Sequence, residues 1–374
     1  MSRKHKPTTD RDISPDSLDF LLPMFWPLSE TLAALEVSRQ YFKALGGASA
    51  GRAPVAPVWH TENRVRLDLP TMYLREFGTP DGTLPVLIDA PYAAHRATIA
   101  DFCEDHSLVE ALLKAGIPAV WVTDWKSSAP EMRFFSIDSY LAELSVAIDD
   151  LGGRVHLIGL CQGGWLSAML AARFPDKVAS LVLVGAPIDT GAGGSPVQQL
   201  AEGMPMSSFE RIVAAGQGRM LGSFLMSGWR SIYPGGRYLE QALTLFDGLE
   251  GETRDMHLRR FEDWFEDMVD LPGTYYLQVI QQLFKENRLA TGRFVGLGRR
   301  LDLKDVTCPT YLLAGASDEI AVSDQVFAAR ALLGTPADQI RTALIPGGHL
   351  DLFMGRDSIA RIWPEIGAWI RAQG

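Results

Sequence analysis

The hexapeptide Gly159-Leu160-Cys161-Gln162-Gly163-Gly164 places one thiol between a strand-like run, residues 155–158, and a helix-like run, residues 165–174. A strand that turns sharply into a helix presents the residue at its apex, and only small neighbours fit so tight a turn. A cysteine at that apex also stands at the N-terminus of the helix. There, unpaired N–H groups and the positive end of the dipole favour thiolate over thiol. Such a thiolate attacks an ester or thioester carbonyl. With 35 Gly and 3 Cys among 374 residues, G-x-C-x-G is expected by chance only about 0.03 times. The competing role is a small buried hydrophobe, as most free cysteines are, and it gives the flanking glycines no purpose.

A nucleophile of this kind needs a base to carry protons and an acid to orient that base. In α/β-hydrolases, whose elbow reads G-x-S-x-G, the acid and then the histidine follow the nucleophile in the chain. Asp318 follows Tyr311-Leu-Leu-Ala-Gly-Ala-Ser317, and His349 follows Leu344-Ile-Pro-Gly-Gly348, so each falls just past an apolar, strand-like run. The expected triad is Cys161 as nucleophile, His349 as base and Asp318 as acid. Asp351 is the rival acid, although its position suits a supporting or surface role better. Ala90-Pro-Tyr-Ala-Ala-His95 follows the first strong strand, where an oxyanion loop belongs. The backbone N–H groups of Tyr92 and Gln162 are therefore expected to bind the tetrahedral oxyanion. His95, Trp165 and Glu319 are candidates for lining the substrate site. His5, His60, His106, His156 and His257 take surface or packing roles by default.

Positioning these residues requires strands that alternate with helices. Residues 84–90, 119–123, 155–158 and 181–184 read as strands, and 107–115, 136–151 and 165–174 as helices. That alternation predicts an α/β fold of the α/β-hydrolase type, with a mostly parallel central sheet and helices on both faces. It stops after Asp189. Residues 191–288 are mostly helical in pattern and rich in large apolar groups, among them Met204, Met206, Phe209, Phe224, Trp229, Tyr233, Trp264, Met268, Tyr275 and Tyr276. Most of these would form that segment's own core, with some left to line a substrate channel. Strands resume at 311–314 and 342–345, before a closing helix over 359–371. The expected organisation is a tail, amphipathic helix and linker over 1–60, a core over 61–190, a helical cap insertion over 191–288 and the rest of the core over 289–374.

Composition narrows the partners. The chain is 47% hydrophobic and 21% charged with a net charge of −10, and its pI is near 5.2. That balance argues against nucleic acid, which needs a basic face. Cys103, Cys161 and Cys308 are an odd set without metal-ligand spacing, which suits a reducing cytoplasm and indicates neither disulfides nor zinc. The apolar stretch 20–37 is broken by Pro23, Pro27, Ser29 and Glu30, so no transmembrane segment or secretory signal is expected. The glycines near Arg299 and Arg356 do not open a helix after a strand as a phosphate loop does. No nucleotide, metal or redox cofactor is indicated.

With these residues in place, the chain resembles the superfamily of polyhydroxyalkanoate synthases and intracellular poly(3-hydroxybutyrate) depolymerases, over nearly everything after about residue 55. Members are α/β-hydrolase-fold proteins with a Cys-Asp-His triad. The elbow at Cys161 looks like that of the short synthases that work with a second subunit. Four stretches look more like the depolymerases: Ala90 to His95, Pro187-Ile-Asp-Thr190 with Ser195-Pro196, Asp270-Leu-Pro-Gly-Thr-Tyr-Tyr-Leu-Gln278, and Gly348-His-Leu-Asp-Leu-Phe-Met-Gly-Arg356. Synthases tend to place a histidine directly after the catalytic aspartate, where this chain has Glu319. Depolymerases lack the glycine pair supplied by Gly163 and Gly164. The longer likeness ranks an intracellular polyester depolymerase first, acting through an acyl-thioester on Cys161. A synthase polymerising 3-hydroxyacyl-CoA comes second and a small-substrate esterase or thioesterase third. The partners implied are a polyester granule or a hydroxyacyl ester or thioester, with room for a homo-oligomer or second subunit, and the place is the cytoplasm or the granule surface.

Overall fold

The computed structural model describes residues 57–226, 244–246 and 249–374. The expected N-terminal amphipathic helix lies outside them, as do Trp229 and Tyr233. Eight strands build the main sheet: β1 (Asn63–Asp68), β2 (Met72–Gly78), β3 (Val86–Asp89), β4 (Ala119–Trp125), β5 (Val155–Leu160), β6 (Val178–Val184), β7 (Thr310–Gly315) and β8 (Ile340–Ile345). Their order is β1-β2-β4-β3-β5-β6-β7-β8. Only the β1–β2 and β2–β4 pairs are antiparallel; the other five are parallel. Strands β3 to β7 are buried along their whole lengths, the condition of strands covered on both faces.

The covering helices are α1 (Leu108–Lys114), α2 (Ile137–Asp150), α3 (Gln162–Arg173) and, at the end of the chain, α10 (Trp363–Arg371). Alternation along β5 separates the two layers. Gly159 opens toward Gly164 and Ser167 of α3, whereas His156, on the opposite face, points to Gly374 just beyond α10. Accordingly α2 packs on α3, and α1 packs on α10. The start of α1 has a local cause: Ser107 Oγ accepts from the Glu110 N–H at 2.9 Å, and Glu110 pairs with Lys114 one turn on.

Between β6 and β7 lie α4 (Pro196–Gly203), α5 (Met206–Ala215), α6 (Gly251–Glu266) and α7 (Gly273–Gln278), which runs into a π-helical turn, Val279–Lys285. After β7 come α8 (Ser323–Phe327) and, after β8, α9 (His349–Met354). Phe209, Met220, Phe261, Trp264, Tyr275 and Tyr276 are all buried and form this segment's own core, as expected for most of its large apolar groups. Phe102 of the body meets Phe246, Phe261 and Trp264 and joins this segment to the sheet layer.

Two features differ from the sequence reading. The β1–β2 hairpin gives no apolar run, because β1 is a charged edge strand whose Arg64 pairs with the buried Glu76. The closing helix is interrupted: a π-helical turn, Ser358–Ile362, precedes α10. Pro364, in the first turn of α10, has no N–H to donate to the preceding turn.

Candidate active site

The end of β5 turns into α3 at Cys161, whose φ of 51° and ψ of −116° are rarely adopted by L-residues. Two backbone bonds hold it there: its N–H donates to Val184 O, and its carbonyl accepts from the Gly164 N–H, both at 2.9 Å. The surrounding glycines are there for space. A Cβ on Gly159 would lie 2.5 Å from Gly164 Cα, one on Gly163 would lie 2.1 Å from Asp89 O, and one on Gly164 would lie 2.2 Å from Ala186 Cβ. The elbow therefore touches the end of β3, and Cys161 is 9% exposed.

His349 is the first residue of α9, beyond β8, and Asp318 lies beyond β7. The His349 Nδ1–H donates to Asp318 Oδ2 at 2.7 Å, and both side chains are buried. Asp318 Oδ1 is fixed by the N–H groups of Ile320 and Ala321 at 2.8 and 2.9 Å. Burial by itself pushes the His349 imidazole down. The charges of Asp318 and Cys161, with a hydrogen bond to each, outweigh burial and hold it up at about 10. With Nδ1 on Asp318, Nε2 is the nitrogen left for Cys161. Gly185, at a φ of 54°, makes room beside this ring: a Cβ there would sit 3.1 Å from His349 Cε1.

Asp351 does not reach the imidazole. Its Oδ2 accepts from the Gly348 N–H at 2.7 Å and caps the helix that begins with His349. Burial raises its carboxyl, the Gly348 hydrogen bond lowers it and the Asp318 charge raises it further. The Tyr92 and Gln162 N–H groups make no hydrogen bond to another described residue, which leaves both as donors. The Tyr92 side chain is fully buried: its hydroxyl donates to Lys126 O or Asp270 O and accepts from Tyr140. His95 stacks on Trp264 and Phe265, with ring centroids 4.4 and 5.1 Å away. Trp165 is buried and donates its indole N–H to Pro187 O at 3.0 Å, while Glu319 is half-buried beside Asp318. His156 binds Ser180 Oγ at 2.8 Å, and burial, helped by Arg154, pushes it down to about 4. His106 Nδ1 meets Met354 O at 2.6 Å.

Two further groups stand near the elbow: Asp89, which the sequence did not single out, and Tyr275, which it offered only as a large apolar group of residues 191–288. Asp89, wholly buried at the end of β3, accepts from Ser167 at 3.2 Å and from Thr123 at 3.4 Å. Burial raises its carboxyl well above the usual range against those hydrogen bonds. Tyr275 is also pushed well up by burial, and the charges of Tyr92, Asp89 and Cys161 add to the shift. An Asp inside an apolar strand was the one available signal for Asp89; Tyr275 was marked only by the apolar richness of its segment. Among the described residues no group of His, Cys, Asp and Glu could hold a metal ion, and no helix is long and apolar enough to cross a membrane.

A family profile described as "Protein of unknown function (DUF3141)" matches residues 75–342. Among curated proteins, the chain is 28% identical over 306 residues to the poly(3-hydroxyalkanoate) polymerase subunit PhaC of Allochromatium vinosum, covering 80% of this chain and 84% of that one. It is 26% identical over 330 residues to the protein of the same name from Haloferax mediterranei, covering 86% of this chain and 64% of that one. Among solved structures, a monoacylglycerol lipase from Paleococcus ferrophilus superposes with a TM-score of 0.52 at 18% identity, over 81% of this chain and 99% of that one. That likeness shows the α/β-hydrolase fold.

Proposed function

The chain belongs to the DUF3141 family, whose description carries no function, and from that premise we propose that it is a cysteine acyltransferase that builds polyester from 3-hydroxyacyl thioesters. Fold and relatives together support an α/β-hydrolase-fold enzyme, hydrolase or acyltransferase. The observation that carries the covalent reading is the line Cys161–His349–Asp318 at an elbow strained to a φ of 51°. Between the two directions, the polymerase relatives reverse the order suggested by the depolymerase-like stretches. The near-complete burial of Cys161 also suits a reaction that must keep water from its acyl intermediate. Residues 191–288 serve as the cap in this reading.

The chemistry follows from the charges on the imidazole. With its proton held on His349, Cys161 acts as the thiolate nucleophile in this reading. The thiolate attacks the thioester carbonyl, and the N–H groups of Tyr92 and Gln162 receive the oxyanion. As the C–S bond to the leaving thiol breaks, His349 Nε2–H gives that sulfur its proton. Acylation then removes the negative charge on Cys161, one of the two groups that hold His349 up. The imidazole becomes a better base for the next step. It takes the proton of an incoming hydroxyacyl hydroxyl, whose oxygen attacks the acyl carbonyl and expels the Cys161 thiolate, leaving an ester. Water in place of that hydroxyl would give hydrolysis.

The test offers the purified protein 3-hydroxybutyryl-CoA in one vessel and amorphous poly(3-hydroxybutyrate) in another. Release of free CoA with insoluble polymer supports the proposal. Soluble 3-hydroxybutyrate or its oligomers from the second vessel alone would reverse the direction. Turnover of neither, with hydrolysis of short esters, would leave a small-substrate esterase.

A further inference from the structure

One of the two oxyanion donors, the Tyr92 N–H, lies on a loop, and its loop is stitched to the segment between β6 and β7. The Val269 N–H donates to Ala94 O at 2.8 Å, and His95 and Met268 form an antiparallel bridge. Arg96 pairs with Asp267 through Nε, and its second nitrogen reaches Oδ1 at 3.4 Å. The Trp264 indole N–H donates to Arg96 O at 3.4 Å while its ring stacks on His95. The Tyr92 hydroxyl reaches Asp270 O at 3.2 Å. Four of the five loop residues 92–96 thus lie against residues 264–270. The other donor, the Gln162 N–H, is fixed independently by the elbow. The spacing of the two donors therefore depends on how the inserted segment seats on the loop, alongside the bonds that tie the Tyr92 hydroxyl to Lys126 O and Tyr140 on the body.

We propose that residues 264–270 act as a splint for the oxyanion loop, and that Arg96, through Asp267, is a positioning residue for acyl transfer at Cys161. The inference rests on the function proposed above and adds a regulation to it. The hole is complete only while the segment is seated, so the site is competent only while it is covered. An opened site then loses oxyanion stabilisation and gains water at the same moment, which protects the acyl-enzyme from hydrolysis.

Arg96 and Asp267 are both partly exposed, with side chains 34% and 20% accessible, so exchanging them is compatible with folding. Three proteins would be compared with the wild type: Arg96→Ala, Asp267→Asn, and the reciprocal exchange Arg96→Asp with Asp267→Arg. The readouts are kcat and KM for 3-hydroxybutyryl-CoA or a p-nitrophenyl ester, the rate of Cys161 alkylation by iodoacetamide, and hydrogen–deuterium exchange over residues 90–100. Each single variant is expected to lower kcat about five- to twentyfold at unchanged KM, since a displaced donor costs transition-state binding alone. Alkylation, which needs no oxyanion hole, runs at the wild-type rate or faster as the site opens, and exchange over 90–100 quickens. The reciprocal exchange restores kcat to within about threefold of wild type. Wild-type kcat in both single variants would overturn the proposal. So would a loss matched by slower alkylation, or a loss that the exchange does not restore. If the wild type turns over no acyl substrate, the function proposed above fails. Hydrogen–deuterium exchange then decides the splint alone: faster exchange over 90–100 in Arg96→Ala supports it, and unchanged exchange overturns it.

Discussion

Gly163→Ala is the substitution that separates a glycine needed for the elbow from one that merely tolerates it. The added Cβ would stand 2.1 Å from Asp89 O, 2.8 Å from Asp89 C and 2.9 Å from Ala90 O, all backbone atoms with no rotamer to change. Carbon and oxygen come to rest at about 3.3 Å, so either α3 or the end of β3 must retreat by roughly 1 Å. Overpacking on that scale costs about 1–3 kcal/mol, which for a chain of this size lowers Tm by roughly 1–4 °C. The effect on rate is larger. The same displacement parts Gln162, next to the methyl, from the loop that holds Tyr92, and a 1 Å error in a catalytic constellation costs about 10²-fold. Gly203→Ala is the control, because nothing lies within 4 Å of its Cβ. Calorimetry would be paired with the rate of acyl-Cys161 formation, followed by mass spectrometry. A Gly163→Ala protein with wild-type Tm and acylation rate, or one indistinguishable from Gly203→Ala, would refute the steric account of the elbow.

Cys161→Ala should abolish turnover of every acyl substrate while leaving the circular dichroism spectrum and Tm within error; residual turnover above about 1% would remove the covalent mechanism. Asp318→Asn withdraws the charge and the acceptor that hold His349 up at about 10, so kcat should fall about 10³- to 10⁴-fold. Linkage adds a stability test. The folded-state value of His349 is raised above its ordinary 6.5, so its contribution is complete below pH 6.5 and fades as pH rises toward 10. Wild-type Tm should therefore decline over that interval, with a shallower slope in Asp318→Asn; parallel curves would count against the pairing. Asp351→Ala removes the cap at the start of α9. It should cost about 1 kcal/mol in urea unfolding and several-fold in kcat, whereas a loss as deep as that of Asp318→Asn would make Asp351 the true acid.

The three residues proposed as a triad could be picked out as candidates because their signals are local. Cys161 carries its own turn glycines, and Asp318 and His349 each follow a short apolar run that reads as a strand. The order of nucleophile, acid and base then assigns the roles without any distance. The inner strands were legible for a related reason: strands covered on both faces are continuously apolar. By contrast β1, a charged edge, and the start of α10, set by Pro364, depend on neighbours as much as on composition.

The sequence by itself determined which side chains could do covalent acyl chemistry and on what kind of scaffold, since spacing and hydrophobic period are properties of the chain alone. Only the tertiary structure decided what surrounds them. Asp318 rather than Asp351 orients the imidazole, although Asp351 is two residues from His349 and Asp318 is 31 residues away. His95 braces a loop against Trp264, a contact 169 residues distant in the chain that no local pattern encodes. Whether a polar group becomes acid, cap or splint depends on which partner the fold delivers within about 3 Å, and that distance exists only after the sheet has closed over its core.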